Sequence, residues 1–107
     1  MLSRRYRVID LLEIDKFEFD GKSFHGVKST LPNLPPLILI KGEKGFVMCG
    51  YLNIESAQNL GAAAVIVKGV NNFEDVLNAE IKSATEKAKE LGLKPGMIVK
   101  DVISKLG

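Results

Sequence analysis

The amino-acid sequence predicts an α+β domain: a mostly antiparallel sheet of about five to six strands, then helices concentrated in the C-terminal third and packed on one face. Three observations carry this. Strand-type residues dominate the first half and are punctuated by turn residues. Two runs there, LILI (37–40) and FVMCGYL (46–52), are apolar throughout, as in strands covered on both faces. The last third instead repeats its apolar residues at helical spacing.

The elements follow in order. Val8, Ile9, Leu11, Leu12, Ile14, Phe17 and Phe19 predict a strand over 7–19, bent midway, and a second strand covers 22–30. Asp20-Gly21 between them is a two-residue hairpin turn, since both positions of such a turn need positive φ. That register sets Phe17 opposite Phe24 and Ile14 opposite Val27. LPNLPP (31–36) reads as a loop, because proline has no N–H for a central ladder. LILI and FVMCGYL then lie mid-sheet, separated by KGEKG (41–45). Asn53 caps a short helix over 54–60, which Gly61 ends. AAAVIVKG (62–69) is a further buried strand, and the order strand, helix, strand suggests a parallel crossover. Asn72 caps a helix through Leu77. AEIKSATEKAKELG (79–92) places Ile81, Ala84, Ala88 and Leu91 on one helical stripe, stopped by Gly92. A second stripe holds Ile98, Val99, Val102, Ile103 and Leu106.

The 107 residues suit a single domain, 1–107. A folded chain of 11.7 kDa exposes about 5,900 Å² and buries roughly two thirds of its extended-chain surface, enough for one core. Net charge is +2, with both signs interspersed, which is no nucleic-acid signature. The one single-sign cluster is Arg4, Arg5 and Arg7. It reads as a solvated first strand, with a flexible basic arm over 1–7 as the other reading. One cysteine excludes an internal disulfide, and with one histidine it cannot build a zinc site, so no metal or cofactor is expected. A reducing cytoplasm fits best. No apolar run reaches membrane-span length, and MLSRRYRVIDLLEID lacks the plan of a signal peptide. The charged set is rich in Lys and Glu and there is a single glutamine, which leans towards a heat-adapted source.

No GxGxxG, GxxxxGK[ST], GxSxG or HExxH pattern occurs, which removes several enzyme classes in their usual form. The one catalytic candidate is Cys49, between a strand end and the N-cap at Asn53, where a helix terminus could lower a thiol pKa. Its plainer reading, which we prefer, is a small buried hydrophobe, because nothing in the sequence supplies a base. His25, the only histidine, falls opposite Lys16 on the first hairpin and reads as solvated. Tyr51, Asn53, Glu55 and Ser56 could line a polar pocket beside Cys49 and Gly50, although capping alone accounts for the last three. KGVNN (68–72), with Lys68, Gly69 and Asn71, would form the second wall of that cleft if the two buried strands are parallel neighbours.

GFVMCGYLNIE, then GV with FEDVLNA, then AKELGLKPGM and a closing short helix resemble the YunC-like family of small uncharacterised bacterial and archaeal proteins. The similarity runs over 12–107, with MCGYLN and LGLKPGM as its most specific pieces; the arginine-containing start departs from the usual lead-in. It implies a single α+β domain, supplies no catalytic residue, and places Cys49, Gly50, Tyr51 and Asn53 in the family's most recognisable motif. The reading that follows is a non-catalytic cytoplasmic binding or assembly module, with a small anionic ligand near the CGYLN loop. The alternatives are a thiol-dependent enzyme or redox protein using Cys49, and a weak nucleic-acid binder using the N-terminal arginines. LILI and FVMCGYL both need two covered faces, and the chain has too few elements to cover both. A homo-oligomer, a two-fold dimer first, is therefore expected.

Overall fold

Turn chemistry and strand propensity shape the first forty residues into consecutive hairpins. The computed structural model describes residues 12–107 and, as backbone alone, residues 3–9. Its sheet follows sequence order, β1 (Ser3–Ile9), β2 (Leu12–Phe19), β3 (Lys22–Leu31), β4 (Leu34–Lys41), β5 (Phe46–Met48), β6 (Ala64–Ile66) and β7 (Ser83–Ala84). Six strands thus have three or more residues, and a two-residue seventh closes the edge. Every pair is antiparallel except β5 and β6.

The Asp20-Gly21 turn forms as expected, with φ of 52° and 76°, and Phe17 meets Phe24 and Ile14 meets Val27. The predicted bent strand over 7–19 is instead two strands. The chain reverses between Ile9 and Leu12, which pair with each other. The backbone of Arg4, Arg5 and Arg7 belongs to β1, and their side chains lie outside the described residues. LPNLPP is also corrected: only Pro32 and Asn33 turn, and Pro35 and Pro36 sit in β4. The prolines fit there because β5 pairs only with Leu39–Lys41, so β4 is an edge along its first half.

Helices begin at Ile54 and occupy the C-terminal half: α1 (Ile54–Asn59), α2 (Phe73–Asn78), α3 (Glu86–Glu90) and α4 (Val99–Val102), which runs into a 3₁₀ turn at Ile103–Leu106. The helix expected over 79–91 is mostly absent. β6 is buried, so its outer edge needs hydrogen-bond partners. Lys82 N donates to Ile66 O at 2.8 Å and Thr85 N to Ala64 O at 3.0 Å, which holds 82–85 extended. Only then does Thr85 cap α3, accepting from Ala88 N. The predicted stripe still reaches the core: Ile81 and Ala88 are buried, and Ala84 and Leu91 pack against them.

Cross-strand register divides the sheet into two faces. Phe17, Phe24, Ile38, Ile40, Val47 and Val65 share the first and are buried. The residues between them, Ile14, Val27, Leu39 and Met48, share the second and stay half-buried. Helices cover the first face. Phe73 of α2 packs edge-on to Phe17, ring centroids 5.4 Å apart, and lies over Gly26, where an added Cβ would stand 2.6 Å from its Cε1. The chain end locks the β4–β5 turn, since Leu106 O accepts from Lys44 N at 2.8 Å and Gly45 N at 3.3 Å. α1 and α3 pack on β6, and α4 packs on α2.

Candidate functional site

Because β5 and β6 are parallel, both end at the same edge of the sheet. Cys49–Asn53 leaves one strand for α1, and Val67–Asn72 leaves the other for α2. Ligands in open sheets gather outside such carboxyl ends. Here the two loops and the start of β4 enclose a cleft of about 430 Å³. Its lining includes Cys49, Gly50, Tyr51, Lys68, Gly69 and Asn71. Six of the seven residues singled out from the sequence therefore come together.

Tyr51 builds one wall. Its Oη donates to Pro35 O at 2.6 Å and ties the CGYLN loop to the proline segment of β4. Lys68 forms the opposite side. A Cβ on Gly50 would lie 3.8 Å from its Cγ, an ordinary contact, so Gly50 keeps that wall open by lacking a side chain. Lys68 is the one charged lining residue; it is exposed and no described carboxylate pairs with it. Gly69 turns the chain with φ of 72°, a conformation that favours glycine.

Cys49 answers to its plainer reading. It is 5% exposed, and its Sγ accepts from Ile38 N at 3.4 Å and faces Pro36 O at 3.9 Å. Ile38 is its ladder partner, for Cys49 N donates to Ile38 O at 3.2 Å, while Cys49 O turns away to accept Leu52 N. The sulfur thus takes up a buried N–H that the ladder leaves over. His25 is exposed on the second face of the sheet, opposite Lys16 and Lys41, whereas Cys49 lies on the first. The fold does not bring the two together.

Asn53 lies outside the cleft. Its Oδ1 accepts from Glu55 N at 3.0 Å and Ser56 N at 3.2 Å, so it caps α1. The start of α2 is also internally satisfied: Asn72 Oδ1 accepts from Asp75 N at 2.7 Å, and Asp75 Oδ2 accepts from Asn71 N at 3.0 Å. Lys68 is therefore the one charged group that the cleft offers.

Sequence reasoning missed Leu34, Pro35 and Pro36, which complete the lining together with Val70 of the KGVNN stretch. A signal was present in Pro35-Pro36. A strand start that cannot donate leaves one side unpaired, and the cleft occupies that unpaired side. Among the described residues no cluster of His, Cys, Asp and Glu could hold a metal ion. No described helix is long and apolar enough to cross a membrane.

Comparison with known proteins places this geometry. The chain is 26% identical over 100 residues to the uncharacterized protein YunC of Bacillus subtilis (strain 168), covering 90% of this chain and 98% of that one. Its structure is similar to that of TA1206, a protein of unknown function from Thermoplasma acidophilum, with a TM-score of 0.87 and 42% identity over 95% of this chain and 99% of the other. The family described as domain of unknown function (DUF1805) matches residues 48–106, a span holding both cleft loops, and the chain belongs to that family.

Proposed function

We propose that this protein is a non-catalytic cytoplasmic binding module whose cleft takes a small ligand with an apolar body and an anionic end. One observation carries the reading: the cleft at the ends of β5 and β6 is lined by Leu34, Pro35, Pro36, Val70 and the Tyr51 ring, with Lys68 as its single charge. An apolar body would displace water from the proline and valine surfaces, and the ammonium would pair with the anion. Lysine suits this role as a point charge on a flexible stem. The lone buried free thiol supports a reducing compartment.

The test is a thermal-shift and calorimetry screen with short aliphatic and aromatic carboxylates and phosphate monoesters. Binding is expected for members that combine both features. Lys68→Met, which keeps the stem and removes the charge, is expected to weaken it about tenfold or more, the loss of roughly 1.4 kcal/mol. A screen with no binder, or affinity unchanged in Lys68→Met, would overturn the reading.

A further inference from the structure

We propose that the second face of the sheet is covered by a second copy of this chain, packed face to face about a two-fold axis that runs across the strands.

The starting point is an apolar row without a cover. Ile14, Val27, Leu39 and Met48 are neighbours in the register of β2 to β5, and Leu37 and Phe46 flank them on the same face. All six remain only half-buried. On this face cover reaches only as far as β6, where Ala64 and Ile66 are buried beside α1, and the row over β2 to β5 lies beyond it. α2 and the C-terminal 3₁₀ turn lie on the first face, against Gly26 and Gly42. α4 packs on α2, and α1 and α3 pack on β6. The apolar residues of LILI that face away from the core thus have no partner within the described chain.

Area favours a second copy as the occupant. β2, β3 and β4, of eight to ten residues, and the three-residue β5, spaced about 4.8 Å apart, form a plane of roughly 450 Å². Two copies facing each other would bury roughly 900 Å², close to the lower bound of about 1,000 Å² for a specific interface. An isologous contact needs a surface that can meet itself, and an apolar row does so without charge conflict.

Charge then selects the axis. The next row on the same face holds Lys16, His25 and Lys41, side by side and exposed. An axis along the strands would stack this basic row on its own copy. An axis across the strands sends the two basic rows to opposite ends of the interface. With the axis through the apolar row they are then about 14 Å apart along the strands, taking successive rows as about 6.8 Å apart, beyond the screening length of about 8 Å in physiological salt. There they form a solvated polar rim around an apolar centre.

Light scattering or sedimentation equilibrium of the whole chain at micromolar concentration tests this. The expected mass is twice the 11.7 kDa of one chain, unchanged between low and high salt. Leu39→Glu is expected to give single chains with the circular dichroism spectrum and cooperative melting of the parent. Ile14→Lys, on another strand of the same row, is read in the same way and stands in if Leu39→Glu does not fold. A single-chain mass at every concentration would overturn the proposal, as would a dimer that survives both substitutions or a higher oligomer. A dimer that forms only at high salt would overturn the axis, since it would mean that the basic rows are stacked.

Discussion

The Thr85 hydroxyl donates to Ala62 O at 2.7 Å while accepting from Ala64 N at 3.1 Å and Ala88 N at 3.3 Å. One buried oxygen therefore joins the approach to β6, the first residue of β6 and the first turn of α3. Threonine suits the position because its hydroxyl both donates and accepts, and its methyl is at home in the core. Thr85→Val keeps the shape and removes all three bonds. It is expected to cost about 3 kcal/mol, since two buried backbone groups lose their partner and α3 loses its cap. Thr85→Ser is expected to cost about 1 kcal/mol, and chemical denaturation of both variants measures the difference. Cys49 shows the same economy at the cleft, where its sulfur meets the spare N–H of Ile38. A cysteine beside a helix start invites a catalytic reading, yet here the neighbouring amides already have Asn53 as their acceptor.

At the level of elements, α2 is held to the sheet by one close approach. Phe73 opens the helix, Phe17 meets its ring edge-on, and Gly26 of β3 leaves the hollow beneath it. Glycine costs a strand some stability, so its presence in the middle of β3 reflects the ring above. Gly26→Ala is expected to destabilise by about 1–3 kcal/mol through overpacking, because the displaced atoms belong to rigid rings. Gly50→Ala is the contrasting control: its methyl would find only the Lys68 stem at contact distance, so stability is expected to change little. Equilibrium denaturation of the two variants side by side checks the pair. The elements also show where local reasoning fails. Residues 79–91 carry a clean helical stripe, yet 82–85 are extended because β6 needed an edge partner, and the helix starts only at Glu86. Helix propensity over one turn is worth a few tenths of a kcal/mol per residue, less than the cost of leaving buried amides unpaired.

For the molecule as a whole, helices cover the first face of the sheet, and the second face is covered at β6, where Ala64 and Ile66 are buried, and open over β2 to β5. The proposed dimer gives that openness a thermodynamic consequence. If folding and pairing are coupled, stability depends on protein concentration. The melting temperature of the parent is expected to rise by a few degrees over a hundredfold concentration increase, while that of Leu39→Glu stays constant. Calorimetry at several concentrations reads this directly, and a parent melting temperature independent of concentration would count against the pairing. The cleft lies at the ends of β5 and β6 and is lined by no residue of the Ile14, Val27, Leu39 and Met48 row, so ligand binding by Lys68 variants and assembly by Leu39 variants can be measured separately.

The sequence by itself determined what depends on neighbours along the chain. The Asp20-Gly21 turn, the Phe17–Phe24 register and the caps at Asn53 and Asn72 are all local or periodic signals, and all are present in the fold, whereas LILI and FVMCGYL are buried on one face and half-buried or exposed on the other. The lining residues Cys49 to Tyr51 and Lys68 to Asn71 were legible too, because a strand–helix–strand order brings two strand ends together. Only the tertiary structure decided the rest. Pairing of Ile9 with Leu12 gave β1 its own strand, and the third wall of the cleft came from Pro35 and Pro36, far upstream of Tyr51 in the chain. The first half of the expected 79–91 helix was replaced by the two-residue edge strand β7, and Cys49 and His25 were set on opposite faces. Each of these outcomes turns on which buried hydrogen-bonding group or apolar surface lacked a partner, and that is a property of the assembled sheet which no local stretch of sequence contains.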